Sequence, residues 1–123
     1  MEKKIILIVD DDARNIFALS AVLKARSFTC VSCSSAEDAL QLLRGTDPID
    51  YVLIDMMMPD MDGYEAIPLI KQIAHRENTP VISVTAQAMI GDREKCMNAG
   101  ADGYISKPVD IDKLMNLLSG LSQ

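Results

Sequence analysis

The sequence predicts an α/β fold: a doubly wound parallel sheet of five strands with five helices, in a single domain spanning residues 1–123. Short apolar runs alternate with helical patterns five times along the chain, and parallel strands need such an intervening crossover. The runs carry no charge, as expected of strands that are buried on both faces of a sheet. A length of 123 residues is enough for one core but not for two.

The first two strand–helix units occupy residues 5–45. A β-branched apolar run at 5–9 predicts the first strand, and residues 29–32 predict a weaker second strand. The second helix begins at a Ser cap within 34–38 and stops at Gly45. The first helix is expected to place four apolar residues on its buried face: Ala18, Leu19, Val22 and Leu23.

The third and fourth units follow the same alternation. The run at 51–54 predicts a buried strand that ends on Asp55. A helix is expected from Gly63 to about His75, with a kink at Pro68 because proline lacks the backbone N–H. A fourth buried strand at 80–84 ends on Thr85.

The last unit closes the domain. Residues 90–99 predict a helix that Gly100 ends, and residues 103–106 a short fifth strand. The final helix, at 110–118, is expected to bury four residues: Ile111, Leu114, Leu117 and Leu118. Together these elements complete five strands and five helices.

Charge and hydropathy exclude several classes of function. The net charge is −6 and the pI about 4.6, so a nucleic-acid surface is not expected, because it would repel phosphates. No apolar run approaches the ~20 residues that a membrane helix needs. Residues 1–4 lead directly into a strand, without the pattern of a signal peptide. We therefore expect a cytoplasmic protein that binds neither nucleic acid nor membrane.

The cysteines do not indicate a disulfide or metal framework. Cys30 and Cys33 form a C-x-x-C pattern, and Cys96 is the third cysteine. An odd number argues against paired disulfides. A zinc site would need a second pair of ligands at suitable spacing, and the single histidine, His75, does not provide one. We expect ordinary buried or half-buried thiols.

Polar side chains follow the predicted strands at the points where the strands end. Asp10 and Asp11 follow the first strand, Asp55 the third, Thr85 the fourth and Lys107 the fifth. All strands of a parallel sheet point the same way, so these side chains should converge on one edge, where open α/β sheets bind their ligands. Clustered carboxylates repel each other unless a cation intervenes.

This set of side chains suits phosphoryl transfer. Carboxylates, a backbone carbonyl and waters are the ligands that Mg²⁺ prefers. With Mg²⁺ and Lys107 neutralising the phosphoryl oxygens, the Asp55 carboxylate can attack in line and form an aspartyl phosphate. Thr85 can bond a phosphoryl oxygen only once the group is present, which is the difference in contacts that a switch requires.

The motifs resemble those of the receiver domain of bacterial response regulators over nearly the whole chain. Asp10-Asp11-Asp12 after the first strand is similar to the acidic pair of that family, and residues 55–63 are similar to its phosphoacceptor loop. Val84-Thr85-Ala86 resembles its switch hydroxyl, and residues 100–108 its aromatic and lysine motif. The resemblance implies the flavodoxin-like strand order 2-1-3-4-5.

The resemblance also implies the metal ligands. Asp55 would be the phosphoacceptor, and Asp11 and Asp55 would bind Mg²⁺ directly. The backbone carbonyl of Met57 would be a third ligand, and Asp10 would act mostly through water. Lys107 would bind the phosphoryl group, with a cis Lys107–Pro108 bond.

The same resemblance implies a switch and its partners. Thr85 and Tyr104 would be coupled, and Met57 and Gln87 would tune the access of hydrolytic water. A histidine kinase or phosphotransfer protein would donate the phosphoryl group, and a downstream protein or domain would bind the face formed by helix 4, strand 5 and helix 5. Such a domain catalyses only its own phosphorylation and dephosphorylation. Residues 11–19 and 89–96 resemble receivers that are fused to hybrid sensor histidine kinases.

Three other classes of protein share parts of the pattern. A haloacid-dehalogenase-type phosphatase uses an Asp-x-Asp motif after its first strand, but Ala13 and Arg14 follow where Thr or Val is usual. An FMN-binding flavodoxin needs a glycine- and hydroxyl-rich phosphate loop instead of three acids. An EF-hand around residues 60–63 would need Glu where Leu69 stands. The residues of the site therefore favour a receiver domain. The fold alone could not distinguish a receiver domain from these other classes.

Overall fold

The computed structural model describes residues 3–86 and 90–121, in which strands and helices alternate along the chain. The strands are β1 Ile5–Val9, β2 Thr29–Cys33, β3 Tyr51–Asp55, β4 Val81–Thr85 and β5 Gly103–Ser106. The helices are α1 Ala13–Ala25, α2 Ala36–Arg44, α3 Gly63–Lys71, α4 Asp92–Asn98 and α5 Ile111–Leu121, with a short 3₁₀ helix at Ala74–Arg76.

The strands form one parallel sheet in the order β2-β1-β3-β4-β5. This is the flavodoxin-like order, and it confirms the predicted fold class. β1, β3 and β4 lie inside the sheet, and β3 and β4 are buried along their whole length. The absence of charge from these runs is therefore explained by helices covering both faces.

Each face of the sheet has its own hydrophobic core. On one face, α2, α3 and α4 pack against strand residues such as Leu7, Val52 and Val81. On the other face, α1 and α5 pack against residues such as Ile6 and Leu53. The period-two alternation of each strand divides its side chains between the two cores.

The buried face of α1 and the end of α3 differ from the prediction. In α1, Leu23 is buried, but Ala18 and Val22 are exposed. They line a groove between α1 and the segment 107–111, and its cavity volume is about 590 Å³. Helix α3 ends at Lys71 instead of His75, because the backbone of Ile73 is extended. Pro68 lies within α3.

Helices α4 and α5 also differ at their ends from the predicted bounds. Helix α4 begins at Asp92, two residues later than predicted, because Gly91 adopts a left-handed conformation with φ of 88°. Helix α5 continues to Leu121. Of its four predicted core residues, Leu114 and Leu118 are buried, and Ile111 and Leu117 are partly buried.

The C-x-x-C cysteines point to opposite faces of the sheet. Cys30 packs with the core beneath α1 and α5, and Cys33 with the core beneath α2 and α3. Residues three apart in a strand cannot share a face. Burial raises the pKa of both thiols, so neither is an activated thiolate. This geometry confirms the interpretation of these cysteines as ordinary packing residues.

A buried arginine caps the carboxyl end of α2. Arg76 is only 5% exposed, and its guanidinium donates to three backbone carbonyls. Its Nε lies 2.9 Å from the Leu43 oxygen, and its Nη2 lies 3.1 Å from the Gly45 oxygen and 2.6 Å from the Asp47 oxygen. A helix end leaves carbonyls without intrahelical partners, and here the 3₁₀ helix supplies the missing donors.

Within the described segments, no helix combines the length and the apolar character that crossing a bilayer requires.

Candidate functional site

The ends of four strands form the floor of the site at the carboxyl edge of the sheet. Backbone hydrogen bonds extend beyond the strands themselves: Asp10 N donates to Cys33 O, Met56 N to Val84 O, and Lys107 N to Thr85 O at 2.7 Å. The backbone that carries each polar side chain is therefore fixed by its neighbouring strand. The predicted convergence of these residues at one edge follows from this arrangement.

Three carboxylates lie together at this edge. One oxygen from each of Asp10, Asp11 and Asp55 can be chosen so that all three lie within 4.8 Å of one another. Asp10 and Asp55 are each 6% exposed, whereas Asp11 is exposed. Two of the three carboxylates are therefore desolvated, and the third faces solvent. Hard oxygen ligands in this number fit a divalent cation such as Mg²⁺.

Lys107 is the cation that the structure places beside these acids. Its ammonium nitrogen lies 3.3 Å from Asp10 Oδ2 and 3.4 Å from Asp55 Oδ2. The Lys107–Pro108 peptide bond is cis, as the sequence resemblance implied. One ammonium group balances one of the three negative charges, so the cluster keeps a net negative charge that favours a further cation.

The pKa values of Asp55 and Lys107 reflect the crowding of charged groups at the site. Burial raises the pKa of Asp55; the Met57 amide and Lys107 oppose this shift, and the charge of Asp10 adds to it. Burial alone would lower the pKa of Lys107, but Asp55 and Asp10 outweigh it and the pKa is raised. The lysine is therefore held in its charged form. A divalent cation at the acids would favour the ionised, nucleophilic form of Asp55.

The loop after Asp55 is held by short-range contacts. Met57 N donates to Asp55 Oδ1 at 3.1 Å, which turns the carboxylate toward the loop. Asp62 caps α3 in a reciprocal capping box with Glu65. Met57 is 51% exposed, whereas Met56 and Met58 are buried. Met56 and Met58 therefore fill space in the core, and Met57 lies at the surface beside Asp55.

A close contact fixes where that loop meets α3. A Cβ atom on Gly63 would lie 2.4 Å from Met56 Sδ and 2.9 Å from Met56 Cα. Gly63 N also donates to Met56 O. The two backbones approach so closely that only glycine fits at residue 63.

Thr85 and Tyr104 lie on neighbouring strands beside the acids. Thr85, the last residue of β4, is 1% exposed. Tyr104 pairs in register with Ser83, so its side chain is on the same face of the sheet as Thr85. The Tyr104 hydroxyl donates to Asp92 Oδ2 at 3.1 Å. Gln87, which was expected to tune water access, lies outside the described residues.

Sequence reasoning missed Asp92 and Tyr64. The Tyr64 hydroxyl donates to Asp92 Oδ1 at 2.7 Å, so one carboxylate accepts hydrogen bonds from two tyrosines. In the sequence, Asp92 is an ordinary acid near a helix start, and Tyr64 an ordinary aromatic of an amphipathic helix. No spacing rule relates residues on α3, α4 and β5, so the sequence contains no signal for this contact.

The strand order 2-1-3-4-5, with acids and a lysine at the carboxyl edge, defines a flavodoxin-like domain with an acidic, cation-compatible site. The model of the response regulator receiver domain family matches residues 6–119. The chain therefore belongs to the response regulator receiver domain family. Acceptance of a phosphoryl group in two-component phosphorelays is the known role of that family, and the chain is a domain of this kind.

The relatives include hybrid kinases. The chain is 40% identical over 113 residues to the signal transduction histidine-protein kinase BarA of Escherichia coli K12. It is 37% identical over 114 residues to the sensor histidine kinase RcsC of Salmonella typhi. These alignments cover 92% and 93% of this chain but 12% of each relative. The chain thus spans about an eighth of the length of these kinases.

A solved structure gives the same fold. The receiver domain of the sensor histidine kinase PA1611 from Pseudomonas aeruginosa PAO1 has a magnesium ion coordinated in its active-site cleft. It superposes with a TM-score of 0.88 at 28% identity, and the match covers 97% of each chain. Among the described residues of the present chain, the acidic cluster of Asp10, Asp11 and Asp55 is a group that fits such an ion.

Proposed function

We propose that Asp55 is the phosphoacceptor and that it reacts with Mg²⁺ bound at the neighbouring acids. The observation that carries this proposal is the cluster of Asp10, Asp11 and Asp55 within 4.8 Å, with the Lys107 ammonium 3.4 Å from Asp55. Asp55 is the most central carboxylate of the cluster, because it ends the buried strand β3. It is held by the Met57 amide and is only 6% exposed.

The metal would be held by Asp11, Asp55 and the backbone carbonyl of Met57, with Asp10 acting mostly through water. Bound Mg²⁺ supplies charge neutralisation of the phosphoryl oxygens. The Asp55 carboxylate oxygen forms the new bond to phosphorus, and the bond from phosphorus to the donor breaks with its electron pair leaving on the donor. Lys107 is positioned to hold a phosphoryl oxygen, and its raised pKa keeps it charged while it does so.

Dephosphorylation of Asp55 is a hydrolysis, and its second reactant is water. A water molecule attacks phosphorus, the acyl phosphate bond breaks, and inorganic phosphate leaves the regenerated carboxylate. Met57, which is exposed beside Asp55, and Gln87 are the residues that would control access of this water. In this proposal the domain catalyses its own phosphorylation and dephosphorylation and turns over no other substrate.

The partners follow from these roles. The donor would be the phosphohistidine of a histidine kinase or phosphotransfer protein, because the chain resembles receiver segments of such kinases. Residues 1–123 would form one receiver domain, in the cytoplasm, that acts alone or within a hybrid kinase. The output would be a protein or domain that binds the face formed by α4, β5 and α5, where Tyr104 lies.

Metal binding is the first test of this proposal. Millimolar Mg²⁺ should raise the melting temperature by relieving carboxylate repulsion, with about 1.4 kcal/mol of stabilisation at a tenfold excess over Kd. Beryllofluoride, a mimic of the phosphoryl group, should add further stabilisation only when Mg²⁺ is present. Thermal melts with each ligand, alone and together, measure both effects.

Two charge-removing variants are matched for this measurement. Asp11→Asn should remove the response to Mg²⁺, whereas Glu77→Gln, which removes an exposed acid near the opposite edge of the sheet, should keep it. If the wild type does not respond to Mg²⁺, or Asp11→Asn responds as strongly as the wild type, the assignment of the metal site is wrong.

A second test separates the chemistry from the switch. Thr85→Ala should still accept a phosphoryl group, because Asp55 and Lys107 are intact. It should lose the response of the α4–β5–α5 face, because the new contact that favours the active state has gone. Backbone amide shifts on addition of beryllofluoride and Mg²⁺ measure this. Thr85→Ser keeps the hydroxyl and should behave like the wild type. Equal shifts at that face in Thr85→Ala would place the coupling elsewhere.

A further inference from the structure

One buried carboxylate joins three elements of the domain. Asp92, the first residue of α4, is 9% exposed. Its Oδ1 accepts from the Tyr64 hydroxyl of α3 at 2.7 Å, and its Oδ2 accepts from the Tyr104 hydroxyl of β5 at 3.1 Å. Both oxygens of the carboxylate are thus used by tyrosines from different elements. Hydrogen bonds to an ionised acceptor are stronger than those between neutral groups.

This carboxylate contributes a large share of what holds α4 in place. The helix has seven residues, and Gly91 before it provides no side-chain cap. Among the described residues, its contacts with neighbouring elements include those of Asp92, of the buried Cys96, and of the exposed Lys95, whose ammonium lies 4.2 Å from the centre of the Tyr64 ring. All three residues contact Tyr64, because the Cys96 thiol donates to the Tyr64 hydroxyl at 3.9 Å. A short helix has little stability of its own, so its position depends on these contacts.

Tyr64 connects the same carboxylate to the phosphoacceptor loop. It directly follows Gly63, whose backbone is pressed against Met56, the residue after Asp55. Burial raises the pKa of the Tyr64 hydroxyl, and the hydrogen bond to Asp92 raises it further. The hydroxyl therefore remains a donor. A continuous series of contacts therefore runs from Asp55 through Tyr64 and Asp92 to Tyr104.

We propose that Asp92 is a latch that holds Tyr104 and α4 in the resting arrangement, and that Tyr64 is the positioning residue that orients this latch. The inference rests on the proposed phosphorylation of Asp55. In this proposal activation moves Tyr104 away from α4, which breaks its bond to Asp92, so the latch opposes activation. The resting population is then set by Asp92 and Tyr64 as well as by Thr85.

The test weakens the latch without removing bulk. Asp92→Asn keeps the shape but removes the charge, so the two charge-assisted bonds are replaced by weaker neutral ones, and the amide oxygen accepts from one hydroxyl while the amide nitrogen can only donate to the other. We expect beryllofluoride, with saturating Mg²⁺, to bind this variant about fivefold more tightly, because less free energy is needed to leave the resting state. Tyr64→Phe should shift the affinity in the same direction by a smaller factor.

Each variant has a matched control. Glu94→Gln removes an exposed acid from the same first turn of α4, so it reproduces the change in charge and in helix-dipole interaction. Tyr51→Phe removes a hydroxyl that donates to Leu118 O at 3.1 Å on the other face of the sheet. Both controls should bind beryllofluoride with the affinity of the wild type.

A ligand-free measurement keeps this inference separate from the proposed phosphorylation. The chain has three tyrosines and no tryptophan, so 3-fluorotyrosine labelling gives three ¹⁹F resonances that Tyr→Phe variants assign. Without ligand, the Tyr104 resonance should move toward its beryllofluoride-bound position in Asp92→Asn, and it should not move in Glu94→Gln.

An unmoved Tyr104 resonance, or unchanged or weaker beryllofluoride binding in Asp92→Asn, would overturn the latch. Failure of the wild type to bind beryllofluoride would instead overturn the phosphorylation proposal. The ligand-free Tyr104 resonance would still decide whether Asp92 restrains Tyr104, by whether it moves in Asp92→Asn but not in Glu94→Gln.

Discussion

Replacement of Asp55 by asparagine is expected to abolish phosphorylation of the domain. With acetyl phosphate and Mg²⁺, the wild type should gain one phosphoryl group, whereas Asp55→Asn should gain none. The amide is a poor nucleophile, and it also removes one of the negative charges that would hold the metal. Intact-protein mass spectrometry measures the incorporation. Loss of the group in mild base identifies it as an acyl phosphate.

Asp60→Asn is the control for this experiment. Asp60 lies in the same loop, is exposed and has φ of 67°, a conformation that asparagine tolerates well. This variant should be phosphorylated like the wild type. A phosphoryl group that persists in Asp55→Asn, or one that maps to His75, would contradict the assignment of Asp55.

Replacement of Arg76 by methionine should cause the largest loss of stability among these variants. Methionine keeps an unbranched apolar stem of similar reach but donates no hydrogen bond. The Leu43, Gly45 and Asp47 carbonyls then lose the guanidinium donors. The buried Leu43 carbonyl is left without this partner, at about 1–3 kcal/mol, and the two part-buried bonds to the charged guanidinium are also lost. We expect the free energy of unfolding to fall by about 3 kcal/mol, measured by urea denaturation.

His75→Ala is the matched comparison for Arg76. The His75 ring contacts the same Gly45 carbonyl through Nε2 at 2.7 Å, but the residue is exposed. Water can replace this contact, so the loss should be below about 1 kcal/mol. If Arg76→Met unfolds at the same urea concentration as His75→Ala, the guanidinium is not an important cap of α2.

The strands and the residues at their ends could be predicted because each depends on local sequence. An uncharged run such as 51–54 stays out of water on both faces, and a carboxylate such as Asp55 ends the run. Chain direction then places Asp10, Asp55 and Lys107 at one edge without any knowledge of the loops. The family resemblance added the strand order and the cis bond before Pro108, neither of which follows from composition or periodicity.

The features that could not be predicted depend on contacts between distant elements. Arg76 has the sequence context of an exposed charge, and only the end of α2 beside it makes its burial favourable. The apolar stripe of α1 is wider than the surface that it buries, so periodicity alone assigned Ala18 and Val22 to the core. Asp92 acquires its role from two tyrosines that lie 28 and 12 residues away.

The contact between Gly63 and Met56 limits how this domain can diverge in evolution. A smaller residue at position 56 would remove the sulfur but not the Cα atom, so it could not by itself make room for a side chain at position 63. Any sequence that replaces this glycine must also displace the main chain next to Asp55. A substitution at position 63 therefore disturbs both the fold and the phosphoacceptor site. No single substitution at position 56 can compensate for it.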